Sequence, residues 1–360
     1  MAVARSIAHM NDSLLNQSLS TETASTGTGF ATPSREEPSG EEYSVPNTMK
    51  AAVLVGPQQV EIQDVPVPAL RDGDVLVRVE GCGVCGSNLP VWEGRPWFSY
   101  PLPPGQPGHE AWGRVVQLGR AVEGMQVGDR VAMLSYAGYA EYDTAAASTV
   151  VLLPSNLDAQ PFPAEPLACA MNVFARSGIR SGDTVAIVGI GFLGALLTSL
   201  AVNAGARVIA ITRRPFALDI ARAAGAAHTL VMDDHWRLIA EVKQLTDDQG
   251  CDVVIEAVGQ QWPIDLAAEL TRIRGRLVIA GYHQDGPRQV NMQLWNWRGL
   301  DVINAHERDE AVYVAGMHAA VDAAAAGQLN PRTLFTHTLP LDQIAAAFTL
   351  LSARPDGFLK

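Results

Sequence analysis

The chain has 360 residues, enough for two domains with separate cores, and its 48% hydrophobic and 18% charged content is that of an ordinary globular protein. A net charge of -12 argues against nucleic acid or an anionic membrane surface as a partner. Four cysteines, Cys82, Cys85, Cys169 and Cys251, are too few for a disulfide framework and point to a reducing cytoplasm, and no apolar run approaches the roughly 20 residues that span a bilayer.

Residues 1–48 are rich in Ser, Thr and Glu, lack sustained apolar periodicity and read as a disordered extension without the apolar core of a secretory signal. Met49 opens the stretch MKAAVL, which reads as a natural chain start leading into a strand. From there to about Val151 short strands and turns predict a compact β-barrel-like domain: Val75 to Val79 alternates at period two, and Gly56-Pro57, Asp72-Gly73 and Gly128-Asp129 are turn signals. An irregular loop, Gly81 to Glu110, holds most of the candidate chemistry. Leu167 to Ser177 predicts a helix, with Pro166 suited to its first turn.

Val185 to Thr212 then reads as strand, glycine turn, helix and strand. Gly189, Gly191 and Gly194 supply G-x-G-x-x-G, in which the first glycine permits the tight turn, the second admits a pyrophosphate and the third lets helix and strand pack. Three glycines alone are weak evidence; their place between a buried strand and a helix N-terminus gives them weight as a dinucleotide site. Helices Phe216 to Ala224 and Trp236 to Leu245 alternate with strands Thr229 to Val231, Val253 to Ala257 and Arg276 to Ala280, the rhythm of a doubly wound parallel sheet. Helices near Ala311 to Ala326 and Leu341 to Leu351 follow. The second strand of the glycine unit ends in Thr212, Arg213 and Arg214 with no carboxylate for a ribose 2'-hydroxyl. Two guanidiniums there suit the 2'-phosphate of NADP better than NAD, unless they merely solvate the start of a helix.

The loop from Gly81 reads GCGVCGSN, and 24 residues after Cys85 come His109 and Glu110; Glu165 and Cys169 follow later. Thiolate, imidazole and carboxylate are zinc ligands, although Cys82 and Cys85 alone also fit a redox pair or half of a structural zinc site. Trp92, Trp97, Phe98 and Tyr100 either cap a core or wall a pocket that stacks on a sugar, cyclitol or aromatic alcohol. Tyr282, His283 and His306 follow sheet strands and are pocket candidates.

GCGVCGSN at Gly81 to Asn88, GQPGHEAWGRV at Gly105 to Val115, GDRV at Gly128 to Val131, EPLACA at Glu165 to Ala170 and the glycine turn occur in the order found in one family. From Met49 to Lys360 the chain resembles the medium-chain dehydrogenase/reductases, in the zinc-containing alcohol and polyol dehydrogenase branch. The resemblance implies an α/β fold: a Rossmann doubly wound parallel sheet at 171–305 plus a GroES-like β-barrel catalytic domain at 49–170 and 306–360. It implies a catalytic zinc held by Cys85 and His109, with Glu110, Glu165 and Cys169 as the remaining candidates, and Ser87 as the hydroxyl of a proton relay. It implies cofactor contacts at Gly189, Gly191, Phe192, Leu193, Gly194, Thr212, Arg213 and Arg214, and at Ala257, Val258, Gly281 and Tyr282, with Trp92 and His306 in the substrate pocket. Asn88 replaces the family's usual aspartate, which weakens the charge behind the metal, and Pro90 replaces the relay histidine of some members. The four-cysteine lobe of many relatives is absent, so one zinc per subunit is expected. Gly357 to Lys360 resembles the beginning of a strand that closes the first domain in relatives.

The implied activity is hydride transfer between NAD(P), NADP being favoured, and a secondary alcohol or ketone of the polyol, sugar-derived or cyclitol class, in a cytoplasmic homodimer or homotetramer. A zinc-free quinone or enoyl reductase, or a non-catalytic nucleotide-binding protein on the same fold, are the alternatives.

Overall fold

The computed structural model describes residues 44–360; most of the expected disordered extension, residues 1–43, lies outside them. Thr48, the last residue of that expected extension, already belongs to a strand. The chain first forms β1 (Thr48–Gly56) and β2 (Gln59–Pro66), an antiparallel pair. A five-stranded antiparallel sheet follows from β3 (Asp74–Cys82), β4 (Ala111–Leu118), β5 (Arg130–Met133), β6 (Tyr142–Ala146) and β7 (Val150–Leu152), in the order β6-β3-β4-β5-β7. Inward Val75, Val77, Val115, Val131 and Met133 form its core, as the alternation along β3 and β4 requires. An isolated bridge between Ala51 and Ala140 links β1 to the segment that leads into β6.

The second sheet is parallel and six-stranded: β8 (Thr184–Val188), β9 (Arg207–Thr212), β10 (His228–Val231), β11 (Cys251–Glu256), β12 (Thr271–Ile279) and β13 (Asp301–Asn304), ordered β10-β9-β8-β11-β12-β13. This is the doubly wound order, in which the direction of progression reverses between β8 and β11 and leaves a crevice at the strands' carboxyl ends. Ala186, Val188, Ile209, Ile211, Val254 and Leu277 build a core with no access to water, explaining why these strands read as continuous apolar runs. β12 begins five residues earlier than its apolar run suggests. Its first half carries exposed Ile273 and Arg274, and Arg274 adopts a positive φ of 56° before Gly275, so neither burial nor regular alternation marks it.

A short helical turn, α1 (Leu89–Trp92), follows the loop after β3. Between the sheets runs α2 (Ala164–Ser177), which starts at Pro163, ends on left-handed Gly178 and packs against α8 (Glu310–Ala325). The crossover helices are α3 (Phe192–Asn203), α4 (Pro215–Ala223), α5 (His235–Leu245) and α6 (Gln261–Leu270); α7 (Met292–Arg298) precedes β13, and α9 (Ile344–Ala353) closes the chain. Asp234 caps α5 by accepting from Arg237 N at 2.7 Å. Residues 357–360 form no strand here; the Lys360 carbonyl instead accepts from the backbone N–H of Thr336 and His337 at 2.9 and 3.1 Å. No helix among the described residues is long and apolar enough to cross a membrane.

Candidate metal and cofactor site

The loop leaving β3 is held against the residue that follows His109. Gly83 N donates to the Glu110 carbonyl at 3.1 Å, and a Cβ on Gly83 would collide with the Glu110 carboxylate, so glycine is what lets the loop pass over it. Asn88, 2% exposed, ties the next turn down: its Oδ1 accepts from Tyr139 OH at 2.7 Å and from Cys85 N at 3.3 Å, and its Nδ2 donates to the Pro107 carbonyl at 3.3 Å. An aspartate at this position could not make the last bond. The asparagine thus trades a charge for a link between the two ligand-bearing segments.

Pro107 O also fixes the histidine. It lies 2.9 Å from His109 Nδ1, and a carbonyl only accepts, so Nδ1 carries a hydrogen and Nε2 is the nitrogen left to bind a metal once it gives up its own proton. Ser87 Oγ stands 3.5 Å from that Nε2. Cys85 Sγ, a His109 nitrogen and a Glu110 oxygen all lie within 4.8 Å of one another. From α2, Glu165 and Cys169 face this group one helical turn apart, with Cys169 Sγ donating to Glu165 Oε1 at 3.4 Å.

Anions crowd this space. His109 is pushed up to about 10: burial works against the shift, and the hydrogen bond and charge of Cys85, then the charges of Glu110 and Glu165, outweigh it. Glu165 is raised to about 7 by burial and then by Glu110, and Cys169 rises well above the usual thiol value through burial and then Glu165. A dication relieves this repulsion, and soft sulfur, imidazole nitrogen and carboxylate oxygen form a zinc-type donor set, so the residues present fit the metal.

The glycine turn fits a dinucleotide for reasons of space. Gly189 has φ +100°, and a Cβ there would run into Val258; a Cβ on Gly194 would run into the Gly189 carbonyl. A Cβ on Gly191 would meet nothing within 4 Å, leaving open room in front of Phe192 and Leu193, the first turn of α3, whose N–H groups have no side-chain cap. On the other side of the crevice, buried Glu256 at the end of β11 accepts from Val258 N at 2.7 Å, from Gly259 N at 2.8 Å and from His283 Nε2 at 3.0 Å. Arg288 Nε donates to His283 Nδ1 at 2.9 Å, so His283 carries its hydrogen on Nε2. This network fastens the loop containing Ala257 and Val258 to the one containing Gly281 and Tyr282.

Two family models match the chain: "Alcohol dehydrogenase GroES-like domain" over residues 71–155 and "Zinc-binding dehydrogenase" over residues 193–326. The chain belongs to the zinc-containing medium-chain dehydrogenases. This dehydrogenase is 29% identical over 338 residues to the alcohol dehydrogenase of Geobacillus stearothermophilus, covering 83% of this chain and 94% of the relative. It is 26% identical over 333 residues to the sorbitol dehydrogenase of Bacillus subtilis, covering 84% and 93%. A solved structure from Sinorhizobium meliloti bound to NADP is 27% identical, with a TM-score of 0.73 and coverage of 84% and 96%. The protein is an NAD(P)-dependent alcohol dehydrogenase enzyme with a Rossmann sheet and a GroES-like domain.

Not every residue singled out from the sequence faces this dehydrogenase's site. Trp92 is 5% exposed and stacks on Phe348 of α9 at 4.8 Å, inside a cluster with Leu54 and Tyr139. His306 packs on Tyr282 with ring centroids 5.4 Å apart, and its Nε2 lies 3.1 Å from the Gly281 carbonyl. Thr212 is buried at the end of β9, and Arg213 is exposed. Arg214 turns back to donate to the Ile190 carbonyl at 3.3 Å and to the Phe358 carbonyl.

Three residues at the site carry no local sequence signal. Lys360 Nζ lies 2.6 Å from Glu110 Oε2, donates to Oε1 at 2.8 Å and stands 4.8 Å over the Phe192 ring. Tyr313 OH lies 3.6 Å from Cys169 Sγ. Tyr139 supports Asn88 from a strand-like stretch that reads as plain core.

Proposed function

We propose that the enzyme is a zinc-dependent, NADP-preferring dehydrogenase that interconverts a secondary alcohol and a ketone on a polyol, sugar-derived or cyclitol substrate. The observation that carries this reading is the convergence of Cys85, His109 and Glu110 within 4.8 Å beside the crevice of the parallel sheet. In it, one zinc is held by Cys85, His109 and one or two of Glu110, Glu165 and Cys169. Bound zinc supplies a Lewis acid for the alcohol oxygen, and the nicotinamide supplies the hydride acceptor.

The chain's own residues handle position and protons. Pro107 and Asn88 keep the His109 ring oriented with Nε2 inward. Ser87 Oγ, beside Nε2, takes the proton of the substrate hydroxyl and releases its own to water or to the cofactor ribose, because Pro90 stands where some relatives have a relay histidine. The open space at Gly191 admits the pyrophosphate, and Arg213 meets the 2'-phosphate at the end of β9. Residues 49–170 and 306–360 form the catalytic lobe in this assignment, and 171–305 the cofactor lobe. The sorbitol dehydrogenase relative supports the polyol class.

Metal analysis of the purified protein, with turnover on a panel of polyols and sugar alcohols using both cofactors, tests the reading. One zinc per chain and higher kcat/KM with NADP are expected. Activity that survives complete removal of zinc, or a better kcat/KM with NAD, overturns the corresponding part.

A further inference from the structure

Three guanidiniums gather where the glycine turn, the metal loop and the last helix meet. Arg213 and Arg214 follow β9, and Arg354 caps the end of α9. Among the described residues none of the three forms an ion pair. Arg214 is committed to two carbonyls, and Arg354 uses only its Nε, toward Leu351 O at 3.3 Å. Among the described residues, the terminal nitrogens of Arg354 and the side chain of Arg213 have no hydrogen-bond or ion-pair partner.

The position of Arg354 is the informative part. A Cβ placed on Gly86 would stand 3.7 Å from Arg354 Nη2 and, its chain neighbours aside, within 4 Å of no other described residue, so this guanidinium occupies the space beside the residue next to Cys85. Arg214, bonded to Ile190 O, connects the same cluster to the glycine turn. The cations also feel one another: after burial, Arg354 is the main influence lowering Arg214, opposed by Asp356, and Arg213 lowers Arg354, opposed by Cys85. Arg354 holds this place at φ 44° and ψ 59°, a left-handed conformation that favours glycine, so a bulky residue is kept where a helix cap would ordinarily discard it.

We propose that Arg354 binds the pyrophosphate of the dinucleotide from the side facing the glycine turn, closing the phosphate site between Gly191 and Gly86. This rests on the dinucleotide reading above and adds a cofactor-binding residue from outside the parallel sheet. Pyrophosphate is the group assigned because Arg354 lies toward the metal loop, whereas the 2'-phosphate belongs at the end of β9 with Arg213.

Calorimetric titration of NAD and NADP into the wild type, Arg354→Gly, Arg354→Lys and Arg213→Ala is the test. Glycine suits the left-handed cap, so Arg354→Gly removes the charge while keeping or raising the melting temperature. It is expected to weaken NAD and NADP alike, by about tenfold or more for a lost charged hydrogen bond, with Arg354→Lys recovering part of the loss. Arg213→Ala is expected to weaken NADP selectively. Unchanged binding of both cofactors to Arg354→Gly, or a loss confined to NADP, overturns the assignment. A wild type that binds neither cofactor overturns the dinucleotide reading itself, a separate failure.

Discussion

Lys360 and Glu110 stand 250 positions apart in the chain, yet their side chains meet at 2.6 Å with the carboxylate wholly inaccessible to water. Burial works to lower the lysine's pKa; Glu110 and then Cys85 outweigh it and hold the ammonium above its ordinary value. Lys360→Met keeps much of the stem's volume but leaves a buried anion unpaired, a change that costs about 3–5 kcal/mol. A clearly lower thermal midpoint is expected in zinc-free protein, partly restored in the double variant Lys360→Met with Glu110→Gln. A midpoint equal to wild type for the single variant contradicts the pairing. Local sequence marks Cys85, His109 and Glu110 because their spacing is itself a motif. Lys360 has no such mark, since its role depends on a contact with a residue 250 positions away that only the folded chain makes.

At the scale of an element, the strand, turn and helix from Val185 to Asn203 are legible because backbone geometry dictates residue type there. Gly194 must admit the Gly189 carbonyl, and Gly191 must leave room. The two glycines therefore separate stability from binding. Gly194→Ala forces β8 and α3 apart and is expected to destabilise by about 1–3 kcal/mol, seen as a lower melting temperature. Gly191→Ala, with nothing within 4 Å of the new methyl group, is expected to melt as the wild type does while binding cofactor more weakly in calorimetry. Equal melting temperatures for both variants would contradict this division. Trp92 shows where such reading stops: an indole in a loop suits a pocket wall and a core equally, and the ring that decides, Phe348, comes from the last helix.

Across the whole molecule, alternating strands and helices reveal the parallel sheet, because burial on both faces leaves a continuous apolar signature. The metal cluster couples that architecture to pH. Glu165 ionises ordinarily at 4.5 and here at about 7, so its charge penalises the folded state increasingly between those values. His109 ordinarily loses its proton at 6.5 and here at about 10, so the stability from its proton is complete below 6.5 and disappears as pH rises to 10. The two slopes share a sign. Chelated protein is expected to lose at least about 3 °C of melting temperature between pH 6.5 and 10, while zinc, which takes the ligands deprotonated, flattens the curve. A chelated form that melts at a constant or rising temperature across that interval contradicts the account.

Arg214 has a mechanical consequence. One guanidinium grips the Ile190 carbonyl in the glycine turn and the Phe358 carbonyl near the chain's end. The turn and the terminal segment are therefore tethered at a point, like two plates riveted at one corner. Moving the glycine turn away from the terminal segment therefore means breaking a bond of this single side chain, so a change at Arg214 is felt by both segments at once.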